Sequence, residues 1–123
     1  MAGPIKPPTR PLDPAERALL DHLLSPDFRG VEALRAQAAQ AEAVVQDEFR
    51  DHIKLYVPPG APPASDAYRN PATITSTAME HGPPAVITLW LDGDYLDYID
   101  VDWPEGPGRD LPSQSQLDPV TLM

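Results

Sequence analysis

The segment VITLWLDGDYLDYIDVDW, residues 86–103, determines the fold that the sequence predicts. Two apolar runs, Val86–Leu91 and Tyr95–Trp103, flank the polar triplet Asp92-Gly93-Asp94. An Asp-Gly pair between apolar runs is typical of a β-hairpin. A two-residue type I′ turn would place Trp90 opposite Tyr95, whereas a three-residue turn with a bulge would shift the register by one residue. The sequence leaves both registers open.

Two helices are predicted before this hairpin. Asp13 is a suitable cap for the first, with Pro14 at its first position and Glu16 at the spacing of a capping box. Its apolar face would consist of Ala15, Leu19, Leu20 and Leu23, and Ser25-Pro26 would end it. The second helix would begin near Gly30 and end near residue 41, with a stripe of small residues at helical spacing.

The remaining chain adds short strands and proline-rich segments. Strands are predicted near 43–46, 52–57 and 73–78, and a proline-rich connection over 58–71. Residues 1–11 are expected to form a disordered proline-rich tail, and 104–123 an irregular acidic tail. The prediction is therefore a single α+β domain over 12–103, in which two N-terminal helices pack on an antiparallel sheet of four to five short strands.

The charge of the chain restricts its partners. Nine Lys and Arg oppose 19 Asp and Glu, for a formal net charge of −10. Residues 92–123 hold eight carboxylates and a single cation, Arg109. Such a segment repels phosphate backbones and anionic membranes, so nucleic acids and membrane surfaces are excluded as expected partners. A basic protein partner fits this charge.

The sequence lacks the motifs that are typical of several classes of activity. The chain has no cysteine, which excludes disulfides, thiol catalysis and zinc ribbons. No serine lies in a Gly-x-Ser-x-Gly context, and neither a phosphate loop nor a dinucleotide fingerprint is present. The histidines His22, His52 and His81 occur in three unrelated contexts. We therefore expect a protein that is not an enzyme, uses no cofactor and, without a signal peptide or an apolar run of roughly 18 residues, is cytoplasmic.

The hairpin carries the one dense group of acidic residues. Its spacing does not match an EF-hand, and strand alternation places Asp100 and Asp102 on one face with Asp97 on the other. Carboxylates beside aromatic residues resemble a protein interface, where aromatic rings anchor and charge steers the partner. The predicted partner-binding residues are Trp90, Tyr95, Asp97, Tyr98, Asp100, Asp102 and Trp103.

We expect a small, acidic protein-binding module, for example an immunity-type or inhibitor protein that covers a basic surface. One alternative is a protein that binds a small ligand or a divalent cation through Asp92, Asp94 and Asp97. Another is a structural subunit of a larger assembly. A solvated acidic face that protects a sheet edge also accounts for the hairpin charges.

The stretch AERALLDHLLSPDFRGVEALRAQ, residues 15–37, resembles the opening of a group of short, uncharacterised actinobacterial proteins. Their shared pattern is a leucine-rich helix, an Asp-Phe-x-Gly link, a Leu-Arg-x-Gln helix and then strands. The hairpin over Leu89–Leu96 and the Leu117-Asp118-Pro119 segment are also similar. The resemblance implies this order of elements and no activity. Members often carry a cysteine-rich turn where this chain has residues 46–52, which contain no cysteine.

Overall fold

The fold is α+β, with two helices and an open antiparallel sheet. The structure is a computed structural model and describes residues 7–45, 52–64, 74–78, 85–104, 111–112 and 117–122. The elements in chain order are β1 (Thr9–Pro11), α1 (Pro14–Leu23), α2 (Val31–Gln40), β2 (Glu42–Val44), β3 (His52–Tyr56), β4 (Ile74–Ala78), β5 (Ala85–Asp92), β6 (Tyr95–Asp102) and β7 (Thr121–Leu122).

The sheet has the strand order β1-β2-β3-β6-β5-β4-β7. Six strands have three residues or more and β7 has two, so the predicted four to five strands are too few. The two additional strands are the edges. Residues 9–11 were expected to be disordered but pair with β2, and residues 121–122 of the predicted irregular tail pair with β4. Pro11 is compatible with an edge strand, where its missing N–H costs no ladder hydrogen bond.

The first helix begins with the predicted capping box. The Asp13 carboxylate accepts a hydrogen bond from the Glu16 backbone N–H at 2.8 Å, and Glu16 Oε1 accepts one from the Asp13 N–H at 2.9 Å. Glu16 is buried and Ala15 is exposed, so Glu16 and not the predicted Ala15 lies on the buried face of α1. Burial of the carboxylate is compensated by Arg10 of β1, whose guanidinium binds both Glu16 oxygens at 2.6 and 2.7 Å. This hydrogen-bonded pair raises the pKa of Arg10.

The hydrophobic core lies between the helices and one face of the sheet, here called the inner face. Helix α1 contributes Leu19, Leu20 and Leu23, and α2 contributes Val31, Leu34 and Ala38. The inner face contributes buried residues of strands β3 to β6, among them Ile53, Leu55, Ile74, Ile87, Leu89, Ile99 and Val101. Their period-two spacing leaves the alternate residues of each strand on the opposite, outer face.

The hairpin adopts neither of the two registers considered from the sequence. Asp92 pairs with Tyr95 around a two-residue turn, and a bulge beyond Leu91 then sets Trp90 opposite Tyr98. Asp97 is the extra residue of the bulge. Gly93 has φ +59°, whereas no described non-glycine residue has a positive φ. A positive φ at the first central position alone is typical of a type II′ turn rather than the expected type I′.

The first half of the proline-rich connection is packed against the domain. Ala61 and Ala64 are buried, and the Ala64 N–H donates to the Asp94 carbonyl at 2.9 Å. Pro59, Gly60, Pro62 and Pro63 are exposed, so the connection runs along the surface and is anchored by these two buried alanines. Proline content excludes regular structure, but it does not prevent small side chains from packing in a fixed loop. Residues 65–71 of this predicted connection lie outside the described residues.

Candidate partner-binding surface

The outer face of the sheet is the strongest candidate for a binding surface. Strand pairing places His52 opposite Asp100, Lys54 and Trp90 opposite Tyr98, and Val86 opposite Asp102. The part of the outer face formed by the three central strands consists of His52, Lys54, Val86, Thr88, Trp90, Tyr98, Asp100 and Asp102. Within the described ranges, the core residues of both helices pack on the inner face.

Three rings form a row across β3, β6 and β5 on this outer face. The ring centroids of His52 and Tyr98 lie 4.7 Å apart, and those of Trp90 and Tyr98 lie 5.9 Å apart with an interplanar angle of 24°. Trp90 is 42% exposed and Val86, on the same strand, is 45% exposed. Packing along the row fixes the orientation of Trp90 while leaving much of its ring accessible. A rigid, exposed aromatic group is typical of the anchors in protein interfaces.

Carboxylates border the aromatic row. Asp100 Oδ1 lies 3.6 Å from His52 Nδ1, and Asp102 is exposed beside Val86. Lys54 forms an ion pair with Asp97, the bulge residue, so its positive charge is balanced locally. The surface thus places two carboxylates on the same strand as Tyr98 and close to the aromatic row.

A groove extends from this face at the hairpin end. The β3–β6 pairing runs from His52 opposite Asp100 to Lys54 opposite Tyr98, and a cavity of about 400 Å³ follows between the two strands. Side chains of both walls line it: Tyr56, Pro58 and Pro59 on one, and Asp92, Tyr95 and Asp97 on the other. We call this cavity the hairpin groove.

Gln37 of α2 joins the two walls of the hairpin groove. Its side chain is fully buried, and its Nε2 donates to the Pro62 and Asp94 carbonyls, each at 2.8 Å. Its Oε1 accepts a hydrogen bond from the Leu96 N–H at 2.9 Å. Gln37 is not among the residues predicted from the sequence. The available signal was a polar side chain three residues after Leu34 and four before Ala41, which both belong to the stripe of small residues at helical spacing.

The structure separates the seven predicted partner-binding residues. Trp90, Tyr98, Asp100 and Asp102 share the outer face, and Tyr95 and Asp97 line the hairpin groove. Trp103 belongs to the core, with 5% of its surface exposed, so its inclusion in the exposed surface was wrong. The alternation of β6 already contained this information, because Trp103 follows Ile99 and Val101 in the buried series.

The predicted cation ligands Asp92, Asp94 and Asp97 do not form a metal-binding group. Over the described parts of the chain, no cluster of three or more His, Cys, Asp or Glu side chains is arranged to hold a metal ion. The Asp97 carboxylate is paired with Lys54. The Asp94 backbone carbonyl accepts hydrogen bonds from Gln37 and Ala64. Local spacing in the sequence was therefore insufficient to bring these carboxylates together.

A second polar cluster anchors the segment before β7. The Asp118 carbonyl accepts hydrogen bonds from His22 Nε2 and Ser76 Oγ, each at 2.7 Å, and Asp118 Oδ2 accepts one from Thr77 Oγ1 at 2.6 Å. His22 Nε2 is also 3.3 Å from Ser76 Oγ. Because a carbonyl can only accept, Nε2 carries its proton toward Asp118 and is not a base for the serine. The cluster therefore has a structural role. His81 lies outside the described residues.

Neither described helix has the length and apolar character needed to cross a membrane. No protein-family model, curated protein or solved structure matches the chain. The resemblance to short actinobacterial proteins therefore stays a prediction. The features that indicate a function are the geometry and charge of the outer face and of the hairpin groove.

Proposed function

We propose that the protein is a non-enzymatic module that binds a basic protein through the outer face of its sheet. The observation that carries this proposal is the row His52–Tyr98–Trp90, which presents a Trp90 ring that is both held by packing and 42% exposed. Tryptophan and tyrosine are over-represented among the residues that contribute most binding energy in interfaces. An immunity-type or inhibitor protein that covers a basic surface is one form of this function.

The charges around the row support a basic partner. Asp100 and Asp102 lie on the same face as Trp90, and the whole chain has a net charge of −10. Rim carboxylates accelerate association with a basic surface and disfavour acidic partners. The aromatic row would supply affinity by apolar burial, whereas the carboxylates would supply orientation and specificity. The proposal includes a cytoplasmic location, which cell fractionation with immunodetection tests.

The test compares two variants that lose the same number of charges. The outer-face variant carries Trp90→Thr, Asp100→Asn and Asp102→Asn. The control carries Asp21→Asn and Glu32→Gln, at exposed positions on α1 and α2. The wild-type protein is used to capture a partner from native lysate, and the partner is then purified for titration calorimetry with each protein. Far-UV circular dichroism and thermal melts check that both variants are folded.

We expect a basic partner that binds at a fixed stoichiometry and has the same affinity for the wild type and the control. The outer-face variant should bind at least about ten-fold more weakly, because it lacks the exposed anchor and two rim charges. Equal affinity of the folded outer-face variant would contradict the proposal. If the captured partner is acidic and its affinity does not fall as salt increases, the proposal that the partner is basic is contradicted.

A further inference from the structure

The hairpin groove brings two aromatic rings and two carboxylates to one place. Tyr56 lines one wall and Tyr95, which is 42% exposed, lines the other with Asp92 and Asp97. Aromatic faces attract cations through their quadrupole, and carboxylates add charge-assisted hydrogen bonds. This combination of side chains is suited to a positively charged group rather than to an anion or to a purely apolar ligand.

The charge balance of the groove supports the same conclusion. Among its described lining residues, Asp92 and Asp97 oppose one ammonium group, that of Lys54. That ammonium is already bound to Asp97. Asp92 is exposed at the rim and therefore remains available for an incoming cation at low desolvation cost.

The groove is also formed in advance. Gln37 holds the Pro62 carbonyl on one side and the backbone of Asp94 and Leu96 on the other. Gly60 has φ +92°, and the Ala61 N–H donates to the Pro58 carbonyl at 3.4 Å, which closes the turn beneath the two prolines. A cavity whose walls are already fixed spends little binding free energy on ordering its own loops.

We propose that the hairpin groove receives an arginine side chain carried by an extended segment of the basic partner; this inference rests on the proposed function. Arginine is favoured over lysine because its planar guanidinium can stack on a tyrosine ring while donating hydrogen bonds to a carboxylate. The groove is open to solvent, because Pro59, Gly60, Asp92 and Tyr95 are exposed. A side chain that remains attached to a large partner can therefore enter it.

The test uses short synthetic peptides and does not require the natural partner. The probe is the acetylated, amidated tripeptide proline-arginine-proline, titrated into the ¹⁵N-labelled full-length protein and followed by two-dimensional NMR. Matched probes replace arginine by lysine or by citrulline, the neutral isostere. We expect saturable shifts at the amides of Gly60, Tyr95 and Leu96, with the citrulline peptide at least about five-fold weaker and the lysine peptide intermediate.

Two single variants locate the binding groups. Tyr95→Ser and Asp92→Asn change exposed residues of the hairpin groove, and each should weaken the arginine peptide by about three-fold or more. Asp21→Asn makes the same charge change on α1 and should leave the affinity unaltered. Thermal melts show whether the variants are folded.

The outcomes separate this inference from the proposed function. Absence of groove shifts with the arginine peptide, equal binding of the citrulline peptide, or full affinity of both groove variants would each overturn the inference. Each of these results is compatible with partner binding through the outer face. The opposite result is also possible, in which the arginine peptide binds the groove and the outer-face variant keeps full affinity for the partner. That result would support the groove inference and overturn the outer face as the partner-binding surface.

Discussion

At the scale of single residues, Gln37 connects α2 to two other segments of the chain. One amide group satisfies the Pro62 carbonyl, the Asp94 carbonyl and the Leu96 N–H, which belong to two segments remote from α2 in the sequence. The side chain of Gln37 is fully buried, and both its Nε2 and its Oε1 are hydrogen-bonded to the backbone. Removal of the amide would leave the buried Leu96 N–H without this partner, which costs more than the bond itself contributes.

We predict that Gln37→Leu lowers the free energy of unfolding by about 2–4 kcal/mol, although leucine is similar in size and more apolar. The Pro62 carbonyl and the Leu96 N–H would lose their bonds, whereas the Asp94 carbonyl would keep the one from Ala64. Urea denaturation measures the loss. The control Gln40→Leu, at an exposed position in the same helix, should change stability by less than about 0.5 kcal/mol. Equal effects of the two variants would contradict the role assigned to Gln37.

At the scale of elements, prediction from the sequence worked where local signals are strong. The capping box at Asp13 and Glu16 and the apolar leucines of α1 depend on neighbours within a few residues, and both are confirmed. Strand β1 has three residues, one of them Pro11, and exists because it pairs with residues more than thirty positions later. No local pattern encodes such a pairing. The edges of the sheet were therefore missed, whereas its central hairpin was found.

The bulge explains why the candidate site was only partly predictable. Alternation correctly placed Asp100 and Asp102 together on the outer face. Asp97 is one extra residue in β6, so the alternation of buried and exposed side chains shifts by one residue between the bulge and the turn. Leu96 is therefore buried, and Asp97 pairs with Lys54. The position of a bulge depends on packing across strands, which the sequence of one strand does not show.

The ion pair between β1 and α1 provides a prediction at this scale. Arg10→Met should destabilise the fold by about 1–3 kcal/mol, because the Glu16 carboxylate would stay buried with only the Asp13 N–H as a described donor. This range lies below that of a fully buried pair, because the Arg10 side chain is 45% exposed. The Arg10→Lys variant should lose less stability, because lysine keeps the positive charge but cannot reproduce the two parallel hydrogen bonds of the guanidinium. Urea denaturation would contradict the assignment if Arg10→Met lost no more stability than Gln40→Leu, the control at an exposed position.

At the scale of the whole molecule, the two sides of the sheet have different roles. The helices cover the inner face and form the core, whereas the outer face presents an aromatic row bordered by carboxylates. Most of the excess negative charge lies in the last quarter of the chain, where Arg109 opposes eight carboxylates. Charge of one sign favours encounter with a basic partner, but it also opposes compaction of the free protein.

We therefore predict that salt stabilises the free protein. An increase in sodium chloride from about 20 mM to about 300 mM shortens the screening length and should raise the thermal midpoint by about 2 °C. Scanning calorimetry at fixed pH measures this shift. The double variant Asp92→Lys with Asp102→Lys reduces the net negative charge by four, and its shift should be smaller. A midpoint that falls with salt in the wild type would mean that attractive pairs outweigh the repulsion.

The strand order has a consequence for how the chain can be re-engineered. The first and last strands in the sequence, β1 and β7, are the two outermost strands of the sheet. Thr9 and Leu122 therefore lie at opposite margins of the sheet, separated by six strand spacings or about 29 Å. A circular permutant would need a linker between residues 122 and 9 that is long enough to cross one face of the sheet. Such a linker passed over the outer face would act as a tethered competitor for any ligand that docks there.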